Sequence, residues 1–425
     1  MKRIIFGIFW TLISINAFSV SADFYVNGIG YTVVSFTGNL TCSVSDGTSC
    51  RGVITIPETV THQGRTLKVV GIDYCSFMGN TELTSIILPE TISGIGLGAF
   101  KGCIALQSIK LPTNCFIDDG SFENCSSLTS IVLPNDTGTI PPECFKGCTS
   151  LESVETQNGV GFRLIRESAF ENCSSLSSIK FSEPIISYDE SYDFDWNSSF
   201  EEIWTLEDDY GNFKCKIGNP LDIREKAFKG CSSLSSIVIP NGTKPIGDAA
   251  FADCSIKSLT IYDGCGSLGI YLYTFEGSNI EELITDNFFP LELRINPRTL
   301  KRLVSNVFYD DSYYWSPDQE WEDFENLEEL VSLSLEPPRI DDSFSNNQYL
   351  NLKVIVPTEA LEAYQQADVW KNFWHLQGGA TTGINAPTVN SNGVNAPIYD
   401  IGGRKVMETV KGQVYIKNGK KFIAR

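Results

Sequence analysis

Along most of the chain, apolar residues recur every 23 residues or so, a period far longer than that of a strand or a helix. The clearest copies read AFKGCIALQSIKLP, SFENCSSLTSIVLP, AFENCSSLSSIKF and AFKGCSSLSSIVIP. The anchoring phenylalanines are Phe77, Phe100, Phe122, Phe145, Phe170, Phe228, Phe251 and Phe275, with weaker copies around Leu300, Phe324 and Phe344. The period predicts a β-rich solenoid of about eleven coils of roughly 23 residues each, the length of leucine-rich repeats.

The second half of each copy has the alternation of a short strand. In LTSIVLP, Ile131 and Leu133 alternate with Ser130 and Val132, and Pro134 ends the run. Stacked coils would pair these strands side by side and bury one another's apolar edges. This register predicts an outward column of serines, which are Ser85, Ser108, Ser130, Ser153, Ser178 and Ser236. The stacking of strands explains this column more simply than a binding role does.

One cysteine lies three residues after the phenylalanine in most clear copies. These are Cys103, Cys125, Cys148, Cys173, Cys231 and Cys254, and Asn80, Ser278 and Asn347 hold the same place elsewhere. All are small hydrogen-bond donors that could reach a backbone carbonyl of the coil beneath. Parallel side chains in a column point the wrong way for disulfides, so we expect a ladder of free, buried thiols. A metal or redox array would need paired cysteines within one loop, which this sequence lacks.

Charge and the N-terminus favour an exported protein. Lys2 and Arg3 precede an apolar run, and residues 1–22 read as a secretory signal peptide. The formal net charge of −20 disfavours nucleic acid and anionic membranes as partners. Cys42 and Cys50 flank an Asp-Gly turn and could form a bridge. We therefore expect a protein that is secreted or held at the outer surface of the cell, with no membrane insertion.

Two inserts, near residues 182–220 and 308–322, interrupt the repeat with acids and aromatics. The candidate binding residues in them are Tyr192, Asp193, Asp195, Trp196, Trp204, Tyr313, Tyr314, Trp315 and Trp321. Inserts in a solenoid project from one face, where aromatics can anchor a protein or a sugar ring. Two alternatives remain open: the aromatics pack the inserts onto the solenoid, or Asp193, Asp195 and Asn197 hold calcium, although the EF-hand pattern fails.

Catalytic motifs are absent from the sequence. The two histidines, His62 in a predicted turn and His375 in a predicted capping helix, lie at opposite ends of the chain. No G-x-S-x-G, Walker loop or H-E-x-x-H occurs. We therefore predict a non-enzymatic protein with no cofactor and no metal site.

The phrase AFxGCxxLxxIxLP, in six close copies between about Phe77 and Pro357, resembles the BspA-like leucine-rich repeat family of bacterial surface proteins. The resemblance implies a strand-rich N-terminal cap at 23–72, a solenoid at 73–357 and a helical cap at 358–378. In that cap, Leu361, Tyr364 and Trp370 are among the apolar residues at helical spacing. A flexible Gly/Asn-rich linker at 379–396 would precede a small β tail at 397–425, which is similar to sorting modules of exported proteins.

The same resemblance implies adhesion or protein–protein binding, with host or bacterial surface proteins as partners. An alternative is a glycan-binding surface protein that uses the aromatic residues of the inserts. The sequence leaves the ligand and the oligomeric state open.

Overall fold

The computed structural model describes residues 21–134, 138–187, 203–207, 213–263, 268–271, 273–286, 293, 295–308, 320–380, 398–400, 405–406, 414–417 and 420–423. The chain divides into two compact units. The first comprises residues 1–159 and 169–176, and the second comprises residues 160–168 and 177–425. Within each unit, short strands of successive coils stack into parallel sheets, so the predicted β-solenoid of leucine-rich repeats is confirmed.

The first unit contains thirteen of the named strands. They are β1 (Phe24–Val26), β2 (Ile29–Ser35), β3 (Thr41–Asp46), β4 (Gly52–Thr55), β5 (Thr59–His62), β6 (Arg65–Ile72), β7 (Leu83–Ile87), β8 (Gly94–Ile95), β9 (Ser108–Lys110), β10 (Phe116–Ile117), β11 (Ser130–Leu133), β12 (Thr139–Ile140) and β13 (Ser153–Thr156). One sheet has the order β1-β2-β3-β6-β8-β10, with β5 paired to β6. The repeat strands form two parallel sheets, β4-β7-β9 and β11-β13.

Phenylalanine rings fill the interior of the first unit as one continuous stack. Neighbouring ring centroids from Phe77 through Phe100, Phe122 and Phe145 to Phe170 lie 5.0, 5.5, 5.6 and 5.5 Å apart, and the ring planes are nearly parallel. All five side chains are fully buried. The recurring phenylalanine is therefore the residue through which each coil packs on the next, as its period predicts.

The turn that carries each phenylalanine explains the glycine of the repeated phrase. Two residues after the ring, the backbone is left-handed at Gly79, Gly102, Asn124, Gly147 and Asn172. Glycine adopts this conformation without strain, and asparagine tolerates it better than most residues. A Gly or Asn at this place is therefore set by the backbone.

The second unit contains the remaining strands and both α-helices. The strands are β14 (Leu164–Ile165), β15 (Ile185–Ser187), β16 (Ile203–Glu207), β17 (Phe213–Gly218), β18 (Asp222–Ile223), β19 (Ser236–Ile239), β20 (Ser258–Tyr262), β21 (Glu282–Asp286), β22 (Arg302–Ser305), β23 (Glu329–Ser332), β24 (Lys353–Pro357), β25 (His375–Ala380), β26 (Ile398–Asp400), β27 (Lys405–Val406), β28 (Val414–Lys417) and β29 (Lys420–Ile423). The helices are α1 (Asn346–Asn351) and α2 (Leu361–Gln366). Three short 3-10 helices cover Trp321–Asp323, Thr358–Ala360 and Trp370–Asn372.

Seven parallel strands, β19 to β25 in chain order, form the main sheet of this unit. The rings of Phe228, Phe251 and Phe275 stack behind it at 5.1 and 5.4 Å. A separate antiparallel sheet, β15-β17-β16, lies in the first insert and buries Cys215 and Ile217. A further antiparallel sheet, β27-β26-β28-β29, lies near the end of the chain.

Several local predictions were wrong. Ser178, a predicted outward strand residue, lies in a segment without strand structure, and the chain there instead forms a bridge between Phe162 and Phe181. His62 was predicted to lie in a turn, but it is the last residue of strand β5. Its ring stacks on that of Phe24, with 4.3 Å between the ring centroids. The alternation of apolar and polar residues in the repeat does not show at which residues an insert interrupts the strand pairing of a coil.

The predicted cap at 358–378 is less helical than expected. Its α-helix ends at Gln366, and Val369 has a φ of 66°, which a regular helix cannot contain. The chain then returns as β25, so His375 starts a strand rather than lying in a helix. This strand also takes Gly379 and Ala380 from the predicted flexible linker.

Candidate functional site

The ladder position of the repeat is occupied by buried thiols that donate to backbone carbonyls. The sulfur of Cys103 lies 3.1 Å from the carbonyl oxygen of Phe77, and Cys125 makes the same contact with Phe100 at 3.1 Å. Cys148, Cys173 and Cys254 repeat this bond to Phe122, Phe145 and Phe228 at 3.1, 3.0 and 3.1 Å. Each phenylalanine carbonyl is thus bonded by the next coil, and this fixes the spacing between coils.

Burial controls the chemistry of these thiols. Desolvation raises the pKa of Cys103 and Cys148 to about 12, and it raises the pKa of Cys125 and Cys173 well above the ordinary value. A thiol at neutral pH in such a site remains protonated and is a hydrogen-bond donor. It is neither a nucleophile nor a metal ligand. None of the twelve cysteines that the structure describes, Cys42 and Cys50 among them, is joined in a disulfide.

The ends of the ladder use other donors. Asn80 donates from Nδ2 to the carbonyls of Gly47 and Cys50, both at 2.9 Å, and Ser278 donates to the carbonyl of Cys254 at 3.2 Å. In the last coil the expected residue, Asn347, is exposed. Its neighbour Gln348 is buried and donates to the carbonyls of Trp321 and Phe324 at 2.8 and 3.2 Å. Helix α1 replaces the usual turn there and shifts the inward position by one residue.

The outward face of the repeat strands in the first unit carries exposed apolar side chains. Register pairs Val53 with Ser85 and Ser85 with Ser108, whose hydroxyls lie 3.1 Å apart. Val53, Ile87 and Val132 are 67%, 45% and 47% exposed. Lys110 and Glu155, the register partners of Ile87 and Val132, are also exposed. The face therefore combines small hydroxyls, aliphatic side chains and single charges, a composition suited to contact with another macromolecule.

The corresponding face of the second unit carries rows of alternating charge. Arg302 donates from Nη1 to Glu282 at 2.7 Å and from Nε to Glu329 at 2.8 Å, and Lys353 reaches Glu329 at 2.7 Å. Lys301 pairs with Glu281 at 2.7 Å in the adjacent row. Each charge thus has an opposite partner on the neighbouring strand, which supports the register of the sheet.

The aromatic candidates of the inserts fall largely outside the described residues. This holds for Tyr192, Asp193, Asp195, Trp196, Tyr313, Tyr314 and Trp315, and likewise for the calcium alternative at Asn197. Trp204 lies in β16, opposite Ile217 of β17, and only its backbone is described. The structure therefore brings none of these residues together into a described site.

Trp321 is a core residue and not an exposed anchor. It is 1% exposed and stacks on Phe344 with 5.3 Å between ring centroids. Phe373 packs against Phe344 edge-on at 5.0 Å, and Trp370 packs against Phe308 at 5.3 Å. The expectation that Trp321 binds a partner was wrong, because this cluster fills the interior behind the last coils.

An open cavity of about 440 Å³ in the first unit was missed by the sequence reasoning. Thr113, Cys115 and Phe116 line one side of it, and Pro134 and Pro141 line the other. It lies between loops of successive coils, so its walls are about 20 residues apart in sequence. Phe116 is 67% exposed beside the buried Cys115 and Ile117, and the sequence pattern carries no signal of this exposure.

Neither a metal-binding cluster nor a membrane-spanning helix occurs in the part of the chain that the structure describes. There, no three His, Cys, Asp or Glu side chains are grouped so that they could hold a metal ion. In the same ranges, no helix has the length and apolar character needed to cross a membrane.

The stacked parallel strands, the column of phenylalanine rings and the interior ladder of hydrogen-bond donors together define a leucine-rich repeat solenoid. The chain belongs to the BspA type leucine-rich repeat family, whose model matches residues 70–201 and 221–311 in six copies. No curated protein matches the chain.

Several solved structures are similar to the chain. A leucine-rich repeat protein of T. pallidum is 22% identical, with a TM-score of 0.38 over 53% of this chain and 86% of that chain. One from Bacteroides ovatus is 18% identical, with a TM-score of 0.38 over 84% and 99%. A leucine-rich cell surface protein of Faecalibacterium prausnitzii is 17% identical, with a TM-score of 0.30 over 85% and 95%.

Proposed function

We propose that this chain is a non-enzymatic protein of the bacterial exterior that mediates adhesion by binding other proteins. The observation that carries the proposal is the outward strand face of the first unit. Its aliphatic side chains Val53, Ile87 and Val132 are exposed on β4, β7 and β11, although the fold has an interior in which apolar residues are buried. Exposed apolar side chains on a flat, otherwise polar face are typical of interaction surfaces.

Two features support this proposal. The face is assembled from short strands of several coils, so it offers a wide and rigid contact area without a deep cavity. Its side chains can change without altering the interior, because strand alternation separates the two sets. The family of bacterial surface proteins to which the chain belongs is consistent with a role in contact.

Export is part of the proposal. It is supported by the N-terminal pattern of residues 1–22, which has a basic start and an apolar run. N-terminal sequencing of protein purified from the producing bacterium should give a mature chain that begins near Asp23. A protein that retains Met1 and remains inside the cell would contradict export.

A panel of immobilised host matrix proteins, bacterial surface proteins and polysaccharides tests the binding role. We expect saturable binding to at least one protein. The double variant Ile87→Lys with Val132→Lys should weaken it by about tenfold or more, since central apolar contacts contribute most of an interface's free energy. Phe116→Lys is the matched control, because Phe116 is an exposed apolar side chain off the strand face.

The second candidate is a glycan-binding surface protein. It is favoured by the aromatic density of the inserts, in which Trp196 and Trp315 lie among acids. Binding to polysaccharides that disappears with Trp196→Ala or Trp315→Ala, and that survives Ile87→Lys with Val132→Lys, would replace the protein-binding proposal. Release of a hydrolysed product from any panel member would contradict both.

A further inference from the structure

The main sheet of the second unit ends in a strand with one open edge. β25 pairs with β24, and no other strand that the structure describes pairs with its outer side. The backbone N–H of Lys353 points to the preceding strand, where it donates to Glu328 at 3.1 Å. Alternation along a parallel ladder then directs the N–H and C=O groups of Leu376 and Gly378 away from the sheet, up to the register shift that precedes Ala380.

This edge has little of the protection that natural sheet edges usually have, apart from the register shift between Gly378 and Ala380. β25 is six residues long and contains neither lysine nor proline. Trp374, directly before it, is 76% exposed. Leu376 continues the row of Leu330 and Val354, which are fully buried, yet Leu376 itself is only half-buried. An added strand would satisfy the open backbone groups and cover both side chains.

The charge beside the edge indicates what kind of strand would bind. The 3-10 helix Thr358–Ala360 touches β25 so closely that a Cβ on Gly378 would lie 3.1 Å from the Cα of Thr358. Helix α2 also contacts β25. Glu359 and Glu362, on these two elements, are exposed. A second copy of this chain would bring the same carboxylates to the edge, whereas a basic segment would neutralise them.

We propose that the outer edge of β25 binds an extended cationic segment of a partner protein, which joins the sheet as an added strand. Backbone hydrogen bonds would supply affinity, and Trp374, Leu376 and the two carboxylates would select the side chains. This inference names a contact surface and a partner class for the proposed protein-binding role, and so rests on that role.

A fluorescent peptide of about eight residues, alternating valine and lysine, is the probe, and its anisotropy is measured with the full chain. We expect saturable binding. Leu376→Pro should weaken it about fivefold or more relative to Leu376→Ala, because both remove the side chain but only proline removes the outward N–H. A peptide with N-methyl groups at alternate residues should not bind. Equal binding to the two Leu376 variants would overturn the proposal.

The charge requirement is tested separately. Glu359→Gln with Glu362→Gln should weaken the peptide about threefold to tenfold, and the loss should shrink at high salt. Asp248→Asn is the matched control, an exposed acid on a turn of an earlier coil in the same unit. An alternating valine–glutamate peptide that binds as tightly as the lysine peptide would contradict a cationic partner.

Two outcomes separate this inference from the proposed function. If a panel protein binds and Leu376→Pro leaves its affinity unchanged, the edge is not the contact and only the inference fails. If no panel protein binds while the peptide still shows edge-dependent binding, the adhesion proposal fails and the edge site stands. A dimer in sedimentation velocity that Leu376→Pro abolishes would show that a second copy occupies the edge, which overturns the cationic-partner assignment.

Discussion

At the scale of single residues, the backbone conformation of each coil determines which residue types occur at several repeated positions. The left-handed positions after each phenylalanine require glycine or asparagine, and the thiol column requires a small donor directed at a carbonyl. Both demands arise from one turn geometry, which is repeated in each coil. The phrase therefore recurs because the same local conformation recurs.

Two glycines separate the effect of conformation from that of space. A Cβ added to Gly79 or to Gly94 meets nothing within 4 Å, but only Gly79 has a positive φ, of 72°. Gly79→Ala should lower the free energy of unfolding by about 1–2 kcal/mol. Gly94→Ala should leave it unchanged or raise it by up to about 1 kcal/mol. Urea unfolding of both variants checks this, and equal stability would contradict the conformational account.

At the scale of elements, each strand has an inner row that is nearly invariant in character and an outer row that is free to vary. In β22 and β23, Leu303 and Leu330 are fully buried, while Arg302 and Glu329 form an ion pair on the outer side. The inner row follows from the repeat pattern. The outer row depends on which neighbours register brings together.

The pH dependence of this row follows from its pKa shifts. Burial alone would raise the pKa of Glu329, but hydrogen bonds from Lys353 and Arg302 outweigh it and lower that pKa. The pair therefore contributes fully above the unfolded carboxyl pKa of about 4.3, and its contribution is lost as the pH falls through the lower folded value. Arg302→Gln should cost about 0.5–1 kcal/mol at pH 7. Its cost should be smaller at pH 3 than at pH 7, because Glu329 is increasingly protonated as the pH falls.

Chemical unfolding at the two pH values provides the measurement. Lys257→Gln is a suitable control, because the Lys257–Glu281 contact is longer, at 3.4 Å, and the lysine side chain is 66% exposed. An Arg302→Gln cost that is equal at pH 7 and pH 3 would show that the arginine acts through packing instead of charge.

The elements that sequence reasoning missed are those where the repeat ends. The strand alternation predicted β11 and β13, and the apolar spacing predicted a helix after Pro357. It could not predict that this helix stops at Gln366 or that the chain returns as β25, because the spacing of apolar residues does not show that Ala367 is extended and that Val369 has a φ of 66°. Trp321 was misplaced for a similar reason, since aromatic composition does not show which face a ring will occupy.

At the scale of the whole molecule, thirteen cysteines in a chain predicted to be exported would ordinarily indicate disulfides. The repeat period predicted a different use for six of them, as interior donors. The structure describes twelve of them, none joined in a disulfide and most of them buried. Cohesion within each unit thus comes from stacked rings and hydrogen bonds.

Thiol accessibility tests this description. Iodoacetamide at pH 8 should leave the ladder cysteines of the native protein unmodified, because all six side chains are buried away from the reagent. In addition, burial keeps the pKa of Cys103, Cys125, Cys148 and Cys173 far above the working pH. Denaturation without a reductant should expose all of them to alkylation, as peptide mass spectrometry would show. Cys50 and Cys75, which are only partly buried, serve as internal controls. Ladder cysteines that resist alkylation after denaturation would reveal disulfides.

The ring column has a consequence for how such chains can change in length. From Phe77 to Phe145, every junction between coils consists of the same aromatic stack and the same sulfur-to-carbonyl bond. If a gene gains or loses one complete period, the two coils that become neighbours therefore already have complementary packing surfaces. Duplication and deletion of whole periods would lengthen or shorten the molecule without requiring any new complementary surface.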